Sequence, residues 1–200
     1  MTSHRRLAAA LAVVLFLGIW RPDSIEPQTL DLVAQGRTAL DADRIDEALA
    51  TFERAVAANP TNPAALAWLG SAQVRKAPRV SLFERAGWVK RGFDTLDEAV
   101  ERFPDAFVVY LVRGSTASRV PDMFRKADVA VQDLTRVVAM KEARPEAVPD
   151  AVMPLVYLNL GLAYKKTNQS AAARAAWEKA KTLYPAAPEA AAIDRELKNL

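Results

Sequence analysis

One spacing pattern constrains this chain more than any other. Gly36, Ala48, Phe52, Ala55 and Pro60 are matched later by Gly161, Ala173, Trp177, Ala180 and Pro185. Pro60 lies 24 positions beyond Gly36, and Pro185 lies the same distance beyond Gly161. The small residue, the aromatic and the second small residue keep identical offsets from the glycine in both copies. Ala48 and Ala55 stand seven apart, two turns along one helix face. Phe52 fills the space between them, and the earlier glycine, lacking a Cβ, lets a second helix come close. The proline stops the helix, because it has no N–H to donate and does not fit a helix interior. A single hairpin of this kind buries its apolar face only against similar hairpins.

The pattern resembles the tetratricopeptide repeat (TPR), whose period is about 34 residues. Gly70 follows Gly36 by 34, with Leu66 and Leu69 in the apolar slots of the first helix. Gly114 follows by a further 44 and Gly161 by 47, so the middle repeats carry insertions of about 10 and 13 residues relative to that period. Their second helices offer Gly92, Leu96, Ala99 and Pro104, then Ala130, Leu134 and Val137 with no proline at the expected place. The resemblance covers about residues 29–187. It implies an all-α fold, a right-handed superhelical solenoid of about four helix-turn-helix repeats with a C-terminal capping helix.

Domain organisation follows. Residues 1–22 read as a signal anchor or signal peptide. His4-Arg5-Arg6 precedes an uncharged run from Leu7 to Trp20, shorter than the ~20 residues of a standard spanning helix. No small-x-small cleavage site follows, and Trp20-Arg21 suits a membrane interface, so an uncleaved anchor is favoured over a cleaved peptide. Residues 23–28 form a linker. The repeats are expected at about 29–62, 63–106, 107–153 and 154–187, with a terminal helix at 188–200. Within them, Asp43 is a candidate N-cap, Ser81 and Glu84 form a capping box, and Phe83 heads an apolar stripe running to Phe103. The third repeat's second helix is expected over Met123–Glu142. The Pro- and Ala-rich stretch 143–153 reads as a flexible connection.

Composition narrows the chemistry. There is no cysteine, and the sole histidine is His4. The repeats therefore lack thiolate ligands and the commonest general base. Arg5, Arg6 and Arg21 account for the net charge of +3, leaving 24 basic and 24 acidic residues in 23–200. That balance points away from nucleic acid. Acidic pairs such as Asp46-Glu47 and Asp97-Glu98 fall where TPR helices are commonly acidic, so no enzyme, metal or cofactor is expected.

The resemblance also implies where a partner sits, since first helices of TPR repeats line a concave groove. The groove slots are Val33, Arg37 and Leu40; then Ala67, Trp68, Ser71 and Arg75; then Leu111, Val112, Ser115, Ser118 and Arg119; then Leu158, Asn159, Leu162, Lys165 and Lys166. This surface reads as apolar in its centre and basic along one side. It suits a protein segment, extended or helical, with hydrophobic anchors and acidic residues. Of the groove Asn and Lys pattern of chaperone-binding TPR domains only Asn159 matches, so that activity is not expected. The functional reading is a non-enzymatic, membrane-tethered scaffold mediating protein–protein interaction in an extracytoplasmic complex. Positive charge ahead of the apolar run places the repeats outside the cytoplasm, periplasmic or at the cell surface, or secreted if the segment is cleaved. Two other readings are a binding protein for a glycan or lipid of the envelope, and a self-associating structural subunit.

Overall fold

The computed structural model describes residues 27–200, with side chains from residue 31 onward. These residues form an all-helical repeat solenoid with no strand among them. The helices are α1 (Pro27–Asp41), α2 (Ile45–Ala58), α3 (Pro63–Lys76), α4 (Leu82–Arg102), α5 (Phe107–Arg119), α6 (Ala127–Ala143), α7 (Met153–Lys166), α8 (Ser170–Leu183) and α9 (Ala190–Lys198). They pair as α1/α2, α3/α4, α5/α6 and α7/α8, and the first helices of neighbouring hairpins lie side by side. The segment 1–22, read above as an anchor, lies outside the described residues. None of the described helices is long and apolar enough to cross a membrane.

Proline sets where each second helix ends. α2, α4, α6 and α8 each stop two residues before Pro60, Pro104, Pro145 and Pro185. The residue between has left the helix, with φ between −143° and −130° at Asn59, Phe103, Arg144 and Tyr184. Proline's ring disfavours the helical region for its predecessor, which accounts for all four stops. The third repeat does have its proline. It is displaced because α6 begins late and runs on to Ala143.

The turn inside each hairpin is set differently. In the first and fourth repeats Asp43 and Asn168, each seven residues past its glycine, take left-handed backbone at φ 61° and 59°. Asp and Asn are among the few residues that adopt this conformation readily. Asp43 is therefore a turn residue and not the expected N-cap: the cap position of α2 is Arg44, and it makes no side-chain cap bond. Its carboxylate pairs instead with Arg79 and, at 3.7 Å, with Arg75. In the third repeat Arg125, at φ 52°, separates a single 3-10 turn at Asp122–Phe124 from α6, which is why the helix expected from Met123 begins at Ala127.

The insertions take two forms. α4 has 21 residues against 14 in α2. Its buried stripe of Val89, Phe93, Leu96 and Ala99 packs on α3, but α3 stops at Lys76 and the first two turns of α4 run past it. Phe83, placed on that stripe by its spacing, is 95% exposed, and Leu82 is 73% exposed. The Glu84 carboxylate secures this free end by accepting the Ser81 backbone N–H at 3.2 Å and its hydroxyl. The second insertion, 144–152, is not the flexible connection expected. It forms two 3-10 turns, buries Val148 fully, and is strapped by Lys141, whose ammonium donates to the carbonyls of Pro145 and Val148 and pairs with Asp150.

Two clusters of buried side chains make the core, one in α1–α3 and a larger one from α3 to α9, with Val56, Trp68 and Trp88 packed against both. Between α3 and α4 the backbones meet. A Cβ on Gly92 would stand 2.7 Å from the Gly70 carbonyl oxygen and 2.5 Å from Val74. A Cβ on Gly87, five residues earlier on the same helix, would meet nothing. Gly92→Ala is accordingly expected to destabilise by about 1–3 kcal/mol. Gly87→Ala is expected to stabilise by about 1 kcal/mol. Thermal unfolding of the full chain in detergent, followed by circular dichroism, compares the two.

An ion triad, buried at Asp133 and open to solvent at Asp97, ties α4, α5 and α6. Arg113 donates through Nε and Nη2 to the two oxygens of Asp133, both at 2.8 Å, and through Nη1 to Asp97 at 2.8 Å. Asp133 is 1% exposed. Burial opposes both charges and pushes the Asp133 carboxyl up. Burial also acts against the guanidinium, yet the hydrogen bonds and charges of Asp133 and Asp97 carry Arg113 above its ordinary value. The doubly bonded fork geometry is that of an ionised pair. Arg113→Ala leaves the buried Asp133 carboxylate alone and is expected to cost about 3–5 kcal/mol, whereas Asp133→Ala leaves Arg113 still paired with Asp97 and is expected to cost less. The joint change R113M/D133L is expected to cost less than either, which a double-mutant comparison of melting curves reads directly.

Candidate functional site

The inner face of the stack is formed by α1, α3, α5 and α7. Trp68 lies half-buried on α3, stacked on Phe52 with ring centroids 6.4 Å apart and planes 14° from parallel. The Arg37 guanidinium sits 5.2 Å from its ring centre. Trp68 is thus shared between the inter-repeat seam and the groove. A guanidinium over an indole face is a favourable cation–π arrangement, and it fixes Arg37 at the first end of the groove.

Polar side chains stitch the neighbouring inner helices. Thr116 donates to the Ser71 hydroxyl at 2.9 Å, joining α5 to α3. Asn159, fully buried on α7, donates to the Ser115 hydroxyl at 3.1 Å and accepts from Arg119 Nε at 3.2 Å and from Ser118 at 3.4 Å. The cations five residues past Gly70 and Gly161 act at the ends of these helices. Arg75 donates to the Leu40 carbonyl at 2.9 Å, and Lys166 donates to the Val120 carbonyl at 2.6 Å. Both satisfy oxygens at the end of the preceding inner helix, where the helix dipole favours positive charge.

The sequence-derived slots divide in two. Arg37, Trp68, Arg75, Ser115, Arg119, Leu162, Lys165 and Lys166 are exposed or half-buried. Val33, Leu40, Ala67, Ser71, Leu111, Val112, Ser118, Leu158 and Asn159 are buried and not open to a partner. The reason is steric: adjacent inner helices approach closely, and their facing side chains become the seam between repeats. The groove is consequently less apolar than expected, with Trp68 and Leu162 its accessible apolar groups. Lys165 is paired with Glu196 of α9 at 3.0 Å, so the terminal helix neutralises the far end.

Repeat geometry also explains the two strongest sequence matches. A Cβ on Gly36 would stand 2.5 Å from the Phe52 ring, and one on Gly161 would collide with the Trp177 indole. Both rings are fully buried, and Trp177 Nε1 donates to the Leu158 carbonyl at 3.1 Å. The tetratricopeptide repeat family model matches here, at residues 32–62 and 155–186. The first and fourth hairpins are thus matched as tetratricopeptide repeats. Solved TPR structures share its fold. A thermophilic TPR protein of Thermus thermophilus, TTC0263, is 19% identical with a TM-score of 0.52, over 86% of this chain and 100% of that one. MamA MSR-1 is 25% identical with a TM-score of 0.50, over 79% of this chain and 78% of that one. No curated protein matches the sequence.

Other exposed apolar side chains lie outside the groove slots: Leu82 and Phe83 on the overhang of α4, Met123 at 80% and Leu183 at 53% exposure. Helical spacing put Phe83 on the apolar stripe of α4, because spacing shows which face a residue shares and not where the neighbouring helix ends. Asn159 organises the TPR groove floor, and three side chains lose a partner without it. Asn159→Ala is expected to destabilise the protein by about 1–3 kcal/mol. Thermal melting against the wild type checks this.

Proposed function

We propose that this TPR protein is a scaffold that holds a segment of a partner protein along its inner face. The observation that carries this reading is the row of accessible groups on α1, α3, α5 and α7: Arg37 over Trp68, then Arg75, Ser115, Arg119 and Leu162. Aromatic and arginine side chains dominate the binding energy of protein interfaces, and here they stand on rigid helices. Two hollows among the described residues are open notches. One is lined by charged groups including Asp122, Arg125, Lys126 and Lys166, and the other by Val89, Phe93 and Phe124 beneath Lys90, Asp94 and Lys126. Neither encloses a lipid or a glycan, which favours a protein partner.

The finer reading is that residues 1–22 tether the scaffold to a membrane with the repeats outside the cytoplasm. It rests on the basic start, the uncharged run and the Trp20-Arg21 boundary in the sequence. The described helices do not supply a span of their own.

Photo-crosslinking in the native host tests both parts. Probes replace Arg37 and Leu162, which are better suited than Trp68 because they are not part of the Phe52 stack. A third probe at Phe83 samples the overhang. One discrete partner joined to the first two positions, in the membrane fraction and on the outer side of the cytoplasmic membrane, is the expected result. Adducts confined to Phe83 reject the groove. Partners joined only inside the cytoplasm reject the orientation.

A further inference from the structure

Three cations occupy the same repeat position, five residues past the glycine: Arg75, Arg119 and Lys166. Two of them are spent on the preceding inner helix, through the Leu40 and Val120 carbonyls. Each also has a carboxylate within ion-pair distance, Asp43 at 3.7 Å from Arg75 and Asp122 at 3.2 Å from Lys166. Arg119 does neither. Its Nε turns to the following helix and donates to Asn159 Oδ1 at 3.2 Å. Asn159 cannot swing away, because it is fully buried and bonded to Ser115 and Ser118. Among the described residues, the two terminal nitrogens of Arg119 have no hydrogen-bond partner, and no carboxylate lies within ion-pair distance.

This is an oriented guanidinium without its anion. Although Arg119 is solvent-accessible overall, its pKa is held below the ordinary arginine value, by burial first and by the positive charge of Arg75 second. A folded chain that had no use for this charge would lose little by replacing it. The terminal nitrogens of an arginine form a planar fork that matches the two oxygens of a carboxylate. Ser115, half-buried one turn earlier on α5, adds a hydroxyl on the same side.

We propose that Arg119, held from behind by Asn159 and flanked by Arg75, is a receptor for one acidic side chain of the partner segment. The inference rests on the groove reading above and adds its chemistry: an Asp or Glu side chain seated between the second and third repeats. The aromatic contact at Trp68, one repeat earlier, takes an apolar neighbour of that acid.

The test uses the full-length protein in detergent micelles and a random decapeptide library displayed on phage. Peptides recovered on wild type are expected to share an Asp or Glu at one fixed position and to lose binding with W68A. Synthetic copies are compared as C-terminal amides and free acids. With Arg119→Gln, or with the peptide acid changed to its amide, affinity is expected to fall by about tenfold or more, and the two changes together are expected to cost no more than either. Peptides without a shared acid, or an acid whose effect survives Arg119→Gln, overturn the proposal while leaving the groove reading standing if W68A still abolishes binding. Recovery of no peptide sensitive to W68A or Arg119→Gln overturns both. Binding lost on amidation of the peptide terminus assigns the site to a chain end and overturns the side-chain assignment. A second measurement stands apart from any peptide. Arg119→Gln is expected to melt at or above the wild-type temperature, as removal of a charge kept for a ligand should. A fall as large as that of Asn159→Ala makes Arg119 a structural residue and overturns the proposal.

Discussion

The crossing of a bare backbone over an aromatic ring is the contact on which the rest of this molecule depends. Gly161 lies flat against the Trp177 indole, and Gly36 lies against Phe52. Each ring is fully buried, with fully buried alanines before and after it on the same helix face, so the two helices of a hairpin meet at a fixed depth and angle. In the middle repeats the aromatic is replaced by Leu96 and Leu134, again packed against the glycine of the first helix. Once the hairpin is set, its first helix can lie beside that of the next repeat. The groove side chains then inherit their positions from contacts on the opposite side of the same helices.

This dependence explains what was legible in the sequence. Glycine, small residue, aromatic and proline are visible at fixed offsets because each occupies a contact with no alternative. The architecture and most helix ends followed from them. The start of α6 and the exposure of the first turns of α4 did not. They are decided by local turns, such as the left-handed Arg125, and by where a neighbouring helix stops. Val148 was read as part of a loose connection because its neighbours are prolines and alanines, yet it plugs the core and Lys141 gathers the carbonyls around it. The groove was legible by position but not by exposure. The repeat resemblance assigns Leu111, Leu158 and Asn159 to the inner face, and only the closeness of adjacent helices shows that they are sealed within it.

The same residue type plays opposed parts on the two sides of α5. Arg113 is buried between two carboxylates, and its charge is balanced within the fold. Arg119, six residues on, faces the groove, where the charge that acts on it is that of another arginine, Arg75. Sequence does not separate them, since both are arginines on one helix in a domain of zero net charge. Their partners do, and those partners come from residues 97, 133 and 159. The balance of charge over the domain as a whole therefore conceals a local excess in the groove.

Among the described residues the row of inner helices is four long. α9 closes one end, where Glu196 takes up Lys165, and α1 begins the other. Four helices with axes about 8–10 Å apart span about 24–30 Å. An extended chain advances about 3.3 Å per residue, so the face accommodates about eight residues. On the proposed reading the stack would be a ruler, sensitive to the length of the segment it holds as well as to the order of its side chains.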